Sequence, residues 1–88
     1  MLIRNQDKDV LWNMSSILSL DVYYDYSYSN KFPYGIRIYH ATSAEYIDYL
    51  GIYTSEEKAI RALDMIEECY RSYPNNNVFH MPQDDEIK

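Results

Sequence analysis

Cysteine, histidine, glycine and proline are all scarce in this chain of 88 residues, at one, two, two and three copies. The single cysteine, Cys69, excludes an internal disulfide framework and a multi-cysteine zinc site. With only Gly35 and Gly51, no glycine-rich loop exists to cradle a phosphate. His40 and His80 fall in no H-x-x-x-H, C-x-x-C or H-E spacing, so both are expected to be structural or surface side chains and no metal is expected. Positive charge is also thin: eight Lys and Arg stand against fourteen Asp and Glu, a net charge of −6. The basic residues are scattered, which excludes binding of a nucleic-acid polymer by phosphate neutralisation. No run reaches the length of a membrane span, and residues 1–7 lack the apolar stretch of a signal peptide. A soluble cytoplasmic protein with no membrane partner is the expectation.

What the chain has instead is tyrosine. Eleven are present, four of them in the stretch Tyr23-Tyr24-Asp25-Tyr26-Ser27-Tyr28. A tyrosine ring buries like a hydrophobe while its hydroxyl tolerates a wet boundary, so such a stretch can serve as a strand face, a binding surface or a stacking platform. Apolar residues make up 47% and charged residues 25%, the ordinary globular balance. Chain length and composition point to one domain over residues 1–82, followed by an acidic flexible tail at 83–88.

Residues 2–4 and 10–14 read as two strands of a hairpin around a polar turn, with Val10, Trp12 and Met14 on one face. From Ile17 the alternation is clear: Leu18, Leu20, Val22, Tyr24, Tyr26 and Tyr28 share one face, and Ser19, Asp21, Tyr23, Asp25 and Ser27 the other. Residues 35–41 and 46–53 are further strands, with Ile36, Ile38 and His40 on one side of the first. Residues 42–45 turn between them, and Leu50-Gly51 suggests a bulge or a close approach by the helix. Thr54-Ser55-Glu56-Glu57 fits a capping box with Thr54 as the cap. Ala59, Leu63, Ile66, Tyr70 and Tyr73 recur at helical spacing as a buried stripe flanked by Ile60, Ala62 and Cys69, with Glu57–Arg61 and Glu67–Arg71 pairs on the wet side. Pro74 and the asparagines Asn75, Asn76 and Asn77 end the helix, and residues 78–81 form a short last strand. The fold class is therefore α+β: an antiparallel sheet of about four to five strands with one amphipathic helix packed across one face.

The polar residues offer little chemistry. Cys69 lies beside the apolar stripe and reads as a small hydrophobe. Asp21 and Asp25 look like a wet strand face, and Asp84, Asp85 and Glu86 belong to a tail with no preorganised ligand geometry. No base, nucleophile or metal constellation is present, so neither enzymatic activity nor a cofactor is expected. The tyrosines exceed what a small core absorbs. Tyr23, Tyr26, Tyr28, Tyr34, Tyr39 and Tyr49 are the candidates for an exposed patch, against the simpler alternative of strand propensity and packing under the helix. Tyrosine-rich, lysine-poor surfaces are typical of protein interfaces, so a partner protein or self-association is the first expectation. Stacking of a small nucleotide in a tyrosine-lined pocket, possible at a subunit interface, is the alternative.

Four segments carry a resemblance: Ile3-Arg4-Asn5-Gln6-Asp7-Lys8, Leu50-Gly51-Ile52-Tyr53-Thr54-Ser55-Glu56-Glu57-Lys58-Ala59, Leu63-Asp64-Met65-Ile66 and Val78-Phe79-His80-Met81-Pro82. They resemble short, mostly uncharacterised cytoplasmic proteins of Gram-positive bacteria and their phages. The resemblance spans most of the chain apart from residues 21–45. It implies a small acidic protein of mobile elements that inhibits host machinery, defence systems included, and it brings no catalytic residues.

Overall fold

Two hydrophobic periodicities, one of two residues and one of 3.6, dictate the architecture. The computed structural model describes residues 1–26, 30–40, 47–72 and 77–87. Strands β1 (Leu2–Arg4) and β2 (Leu11–Asn13) form the expected antiparallel hairpin, and β6 (Val78–His80) joins the other side of β1 in parallel. Strands β3 (Ile17–Tyr24), β4 (Tyr34–His40) and β5 (Ile47–Tyr53) form a second, antiparallel sheet in the order β3-β4-β5. Helix α1 (Glu56–Ser72) packs against all three strands of that second sheet. The α+β class is as expected. The strands divide into two three-stranded sheets, because the N-terminal hairpin recruits the last strand instead of extending the central sheet.

The core consists of Ile3, Ile36, Ile38, Leu50, Tyr53, Ala59, Ala62, Ile66, Met81 and Ile87. Trp12, Met14, Leu20, Val22, Leu63 and Phe79 close around it. Val10, expected beside Trp12 and Met14, precedes β2 and is exposed. The bulge expected at Leu50-Gly51 is present: Ile36 pairs with Gly51 and Arg37 with Tyr49, leaving Leu50 as the extra residue.

Three local expectations are corrected. Thr54 is not the helix cap; the Ser55 hydroxyl accepts from the Lys58 amide at 3.2 Å, while Thr54 is engaged by Asp84. The buried stripe runs through Ala59, Ala62 and Ile66, while Ile60 and Tyr70 are exposed. Arg61 pairs with Glu68 at 3.1 Å rather than with Glu57, while Arg71 and Glu67 pair as expected. Tyr28, Ala41, the turn expected at 42–45, Tyr46, Tyr73, Pro74, Asn75 and Asn76 lie outside the described residues, as do the side chains of Leu18 and His40.

Residues 83–87, expected to fray, are held in place. Asp84–Glu86 form a short 3-10 turn and the Ile87 side chain is only 6% exposed. The Asp84 carboxylate accepts from the Thr54 amide (2.8 Å), the Thr54 hydroxyl (3.0 Å) and the Lys58 ammonium (3.1 Å). Burial acts to raise the Asp84 carboxyl, but the Thr54 amide and hydroxyl and the Lys58 ammonium hold it below its ordinary value of 3.8. A group lowered in this way contributes stability that is complete above its unfolded value and is lost as pH falls through its folded value. Acid titration of the thermal melt should therefore show a loss of stability beginning below about pH 4 that Asp84→Asn diminishes. An identical acid limb in the variant would contradict this role.

Candidate functional site

Strand alternation places two different tyrosine groups on the two faces of the β3–β5 sheet. Ile36 and Ile38 turn toward α1, so Gly35, Arg37 and Tyr39 face the opposite side, where no helix packs among the described residues. Register then assembles the open face from neighbouring strands: Asp21 lies opposite Arg37, and Arg37 opposite Tyr49. Tyr23 lies opposite Gly35, and Gly35 opposite Ile52.

Arg37 organises this face. Its Nε and Nη2 donate to the two carboxylate oxygens of Asp21, each at 2.7 Å, a bidentate fork that fixes the guanidinium plane. The Tyr23 ring stacks on that plane with the guanidinium carbon 3.8 Å from its centroid, and Tyr39 flanks it at 5.2 Å. The hydrogen bonds it donates to Asp21 hold the guanidinium above even its usual basic range. The Arg37 side chain is consequently only 17% exposed, while Tyr23 is 39% exposed. Tyr49 completes the surface by lying on Gly35: a Cβ at Gly35 would stand 2.6 Å from Tyr49 Cδ1. The glycine is thus required by ring packing across the strands.

Beyond Tyr49 the face opens into a cleft of about 510 Å³. Tyr49 and Phe32 provide its rings, Gln6 and Gly51 part of its floor, and Asp7, Asp84 and Asp85 the carboxylates of its rim. Among the described residues Lys31 is the one cationic lining residue, with its ammonium 5.4 Å from the centroid of the Phe32 ring.

The six candidate tyrosines do not form a single patch. Tyr23, Tyr39 and Tyr49 share the open face. Tyr34 and Tyr26 belong to a separate cluster around Tyr24, with ring centroids 5.0 Å and 5.6 Å from it. Tyr34 also packs on the core, and Tyr24 and Tyr26 are exposed at its rim. Tyr28 is outside the described residues. Of the remaining polar candidates, His80 is exposed and the Cys69 sulfur accepts from Asn77 Nδ2 at 2.9 Å. Sequence pattern alone places Asp21 on a wet face and does not single out Arg37, Phe32 or Gln6 as site residues. Opposite charges on two strands joined by one loop were the available signal for Asp21 and Arg37, and the register that uses it is a tertiary fact. No known family matches this chain, and no curated protein and no solved structure is significantly similar to it.

Proposed function

We propose that this chain is a non-catalytic, cytoplasmic binding protein whose open sheet face engages a partner protein. The observation that carries this reading is the fixed Asp21–Arg37–Tyr23 stack, with Tyr39 and Tyr49 beside it. Tyrosine and arginine dominate the energetics of protein interfaces, and side chains already immobilised lose little entropy on binding. The net charge of −6 and the carboxylates at the cleft rim favour a partner with a basic surface and speed its approach. The resemblance to phage and mobile-element proteins makes host machinery the class of partner to examine first, with the chain acting as its inhibitor.

A second reading, a small nucleotide held in the cleft, is favoured by one observation. The cleft volume lies in the range of small-molecule sites, and two rings line it. Its carboxylates disfavour phosphate, so a nucleoside moiety would supply the affinity.

Capture from host extract with immobilised full chain tests the first reading. Tyr23→Ser should lose the captured protein, whereas Ile60→Ser, on the exposed side of α1, should retain it; purified partner should then reproduce the same ranking. A partner lost with Ile60→Ser and kept with Tyr23→Ser would overturn the assignment of the face. A thermal shift with nucleosides, absent in Tyr49→Ala, would favour the second reading.

A further inference from the structure

The open edge of β3 presents a hydrogen-bonding row without a strand beside it. Among the described residues β3 is an edge strand, with β4 on one side only. The Asp25 amide donates to the Pro33 carbonyl at 2.7 Å, and Asp25–Pro33 continues the β3–β4 register. Antiparallel pairs alternate between hydrogen-bonded and non-hydrogen-bonded. Tyr23, Asp21 and Ser19 therefore exchange their backbone bonds with β4, and the N–H and C=O groups of Leu20, Val22 and Tyr24 point away from it.

Natural proteins blunt such an edge with lysine, proline, a bulge or an unpaired charge. The opposite edge of this sheet is blunted: the Gln6 side chain takes both backbone groups of Ile52, and the Tyr49 amide donates to its neighbour Asp48. On β3 the irregularity lies between Ile17 and Ser19, so residues 19–25 remain regular. That segment has no lysine or proline, and the charge of Asp21 is satisfied by Arg37. Beside this edge Tyr23 is 39% and Tyr24 49% exposed.

We propose that β3 pairs antiparallel with β3 of a second copy of this chain about a two-fold axis at Val22, joining two three-stranded sheets into one of six strands. The register follows from the segment itself. Val22 is the centre of the regular stretch 19–25, and each outward N–H then meets an outward C=O. Leu20 faces Tyr24 of the other copy on the helix side, covering the exposed ring. Asp21 faces Tyr23 of the other copy on the open side. A shift by two residues either way sets Asp21 against Asp21 or against Asp25, and like charges directly opposed are unfavourable. The two-fold also sets two Asp21–Arg37–Tyr23 stacks side by side. The pairing rests on the backbone of β3 and stands or falls independently of the partner-protein reading.

Sedimentation velocity of the full chain over a dilution series should show a reversible dimer. Amide exchange read by NMR should show Leu20, Val22 and Tyr24 protected only where the dimer is populated, and Ser19, Asp21 and Tyr23 protected throughout. Tyr24→Pro removes one outward N–H without touching a bond to β4, and should weaken the dimer about tenfold relative to Tyr24→Ser, which removes the ring alone. A monomer at every concentration overturns the proposal. So does a dimer in which the Leu20, Val22 and Tyr24 amides exchange freely. Protection of those amides only on adding a foreign protein would assign the edge to that protein and equally overturn self-pairing. The exchange readout on the unmutated chain remains decisive if Tyr24→Pro fails to fold.

Discussion

Replacing Gln6 with leucine is expected to lower the unfolding free energy by about 3 kcal/mol, although the side chain keeps its approximate size. Gln6 acts as a one-residue strand along the edge of β5. Its amide nitrogen donates to the Leu50 carbonyl at 2.7 Å, and its side-chain oxygen accepts from the Ile52 amide at 2.8 Å. Its side-chain nitrogen donates to the carbonyls of Ile52 (3.1 Å) and Pro82 (3.0 Å), while its own carbonyl accepts from the Gln83 side chain at 2.7 Å. One residue thus ties the N-terminal hairpin, the central sheet and the C-terminal turn together. Leucine removes every side-chain bond and leaves the partly buried N–H and C=O of Ile52 without the Gln6 partner, while the Pro82 carbonyl keeps only its bond from the Tyr53 hydroxyl. Orphaning such groups costs more than the bonds contribute when made. Gln83→Leu, which deletes a single bond to Gln6, should cost about 1 kcal/mol. Urea unfolding of the two variants tests the ranking. A loss for Gln6→Leu no larger than the about 1 kcal/mol of Gln83→Leu would show that the Gln6 side-chain amide is dispensable.

Gly35→Ala is expected to destabilise the fold by about 2 kcal/mol and to displace Tyr49 from the open face. The added methyl meets Tyr49 Cδ1 at 2.6 Å and Cε1 at 2.7 Å, closer than carbon atoms approach, with the Gly51 carbonyl at 3.4 Å behind them. The ring is the part able to move, and moving it strips the cover from the strand backbone and opens the wall of the cleft. Tyr49→Ala removes the obstruction. In a double-mutant cycle, Gly35→Ala should therefore cost about 1 kcal/mol less in the Tyr49→Ala background. Additive costs would mean that the clash is relieved elsewhere. Gly51 sets a related constraint, since a Cβ there would lie 3.1 Å from both Gln6 Cδ and the Tyr53 hydroxyl oxygen. That hydroxyl donates to the Pro82 carbonyl, and burial, with Asp84 and Glu86 nearby, raises it well above an ordinary tyrosine.

Much of the architecture was legible from local pattern. The period-two run from Ser19 to Tyr24, the polar turn after β1, the bulge at Leu50-Gly51 and the helical repeat beginning at Ala59 each carry their signal within a few neighbouring residues. The irregularity between Ile17 and Ser19, by contrast, breaks the alternation expected from Ile17. Expectations failed where a distant residue competed for a group. Thr54 and Glu57 match a capping box, yet Asp84 takes the Thr54 hydroxyl and amide and leaves the cap to Ser55. The acidic run at 84–86 looks like a solvated tail in isolation. It is held by Lys58 and Thr54, neither of which lies near it in sequence, and by burial of the adjoining Ile87.

The tyrosines draw the same boundary more sharply. Composition and alternation were enough to determine an α+β domain with more aromatic surface than its core absorbs, because propensity and periodicity act over short stretches of chain. Which rings share a face was decided by the tertiary structure. The β3–β4 register brings Asp21 to Arg37 and Tyr23 over the guanidinium, and the Leu50 bulge resets β5 so that Tyr49 stands opposite Arg37 and over Gly35. A slip of one residue in either strand would turn those rings to the other side, since successive side chains alternate between faces. Register is set by packing of both faces at once, and it is what separates Tyr23, Tyr39 and Tyr49 from the Tyr24, Tyr26 and Tyr34 cluster.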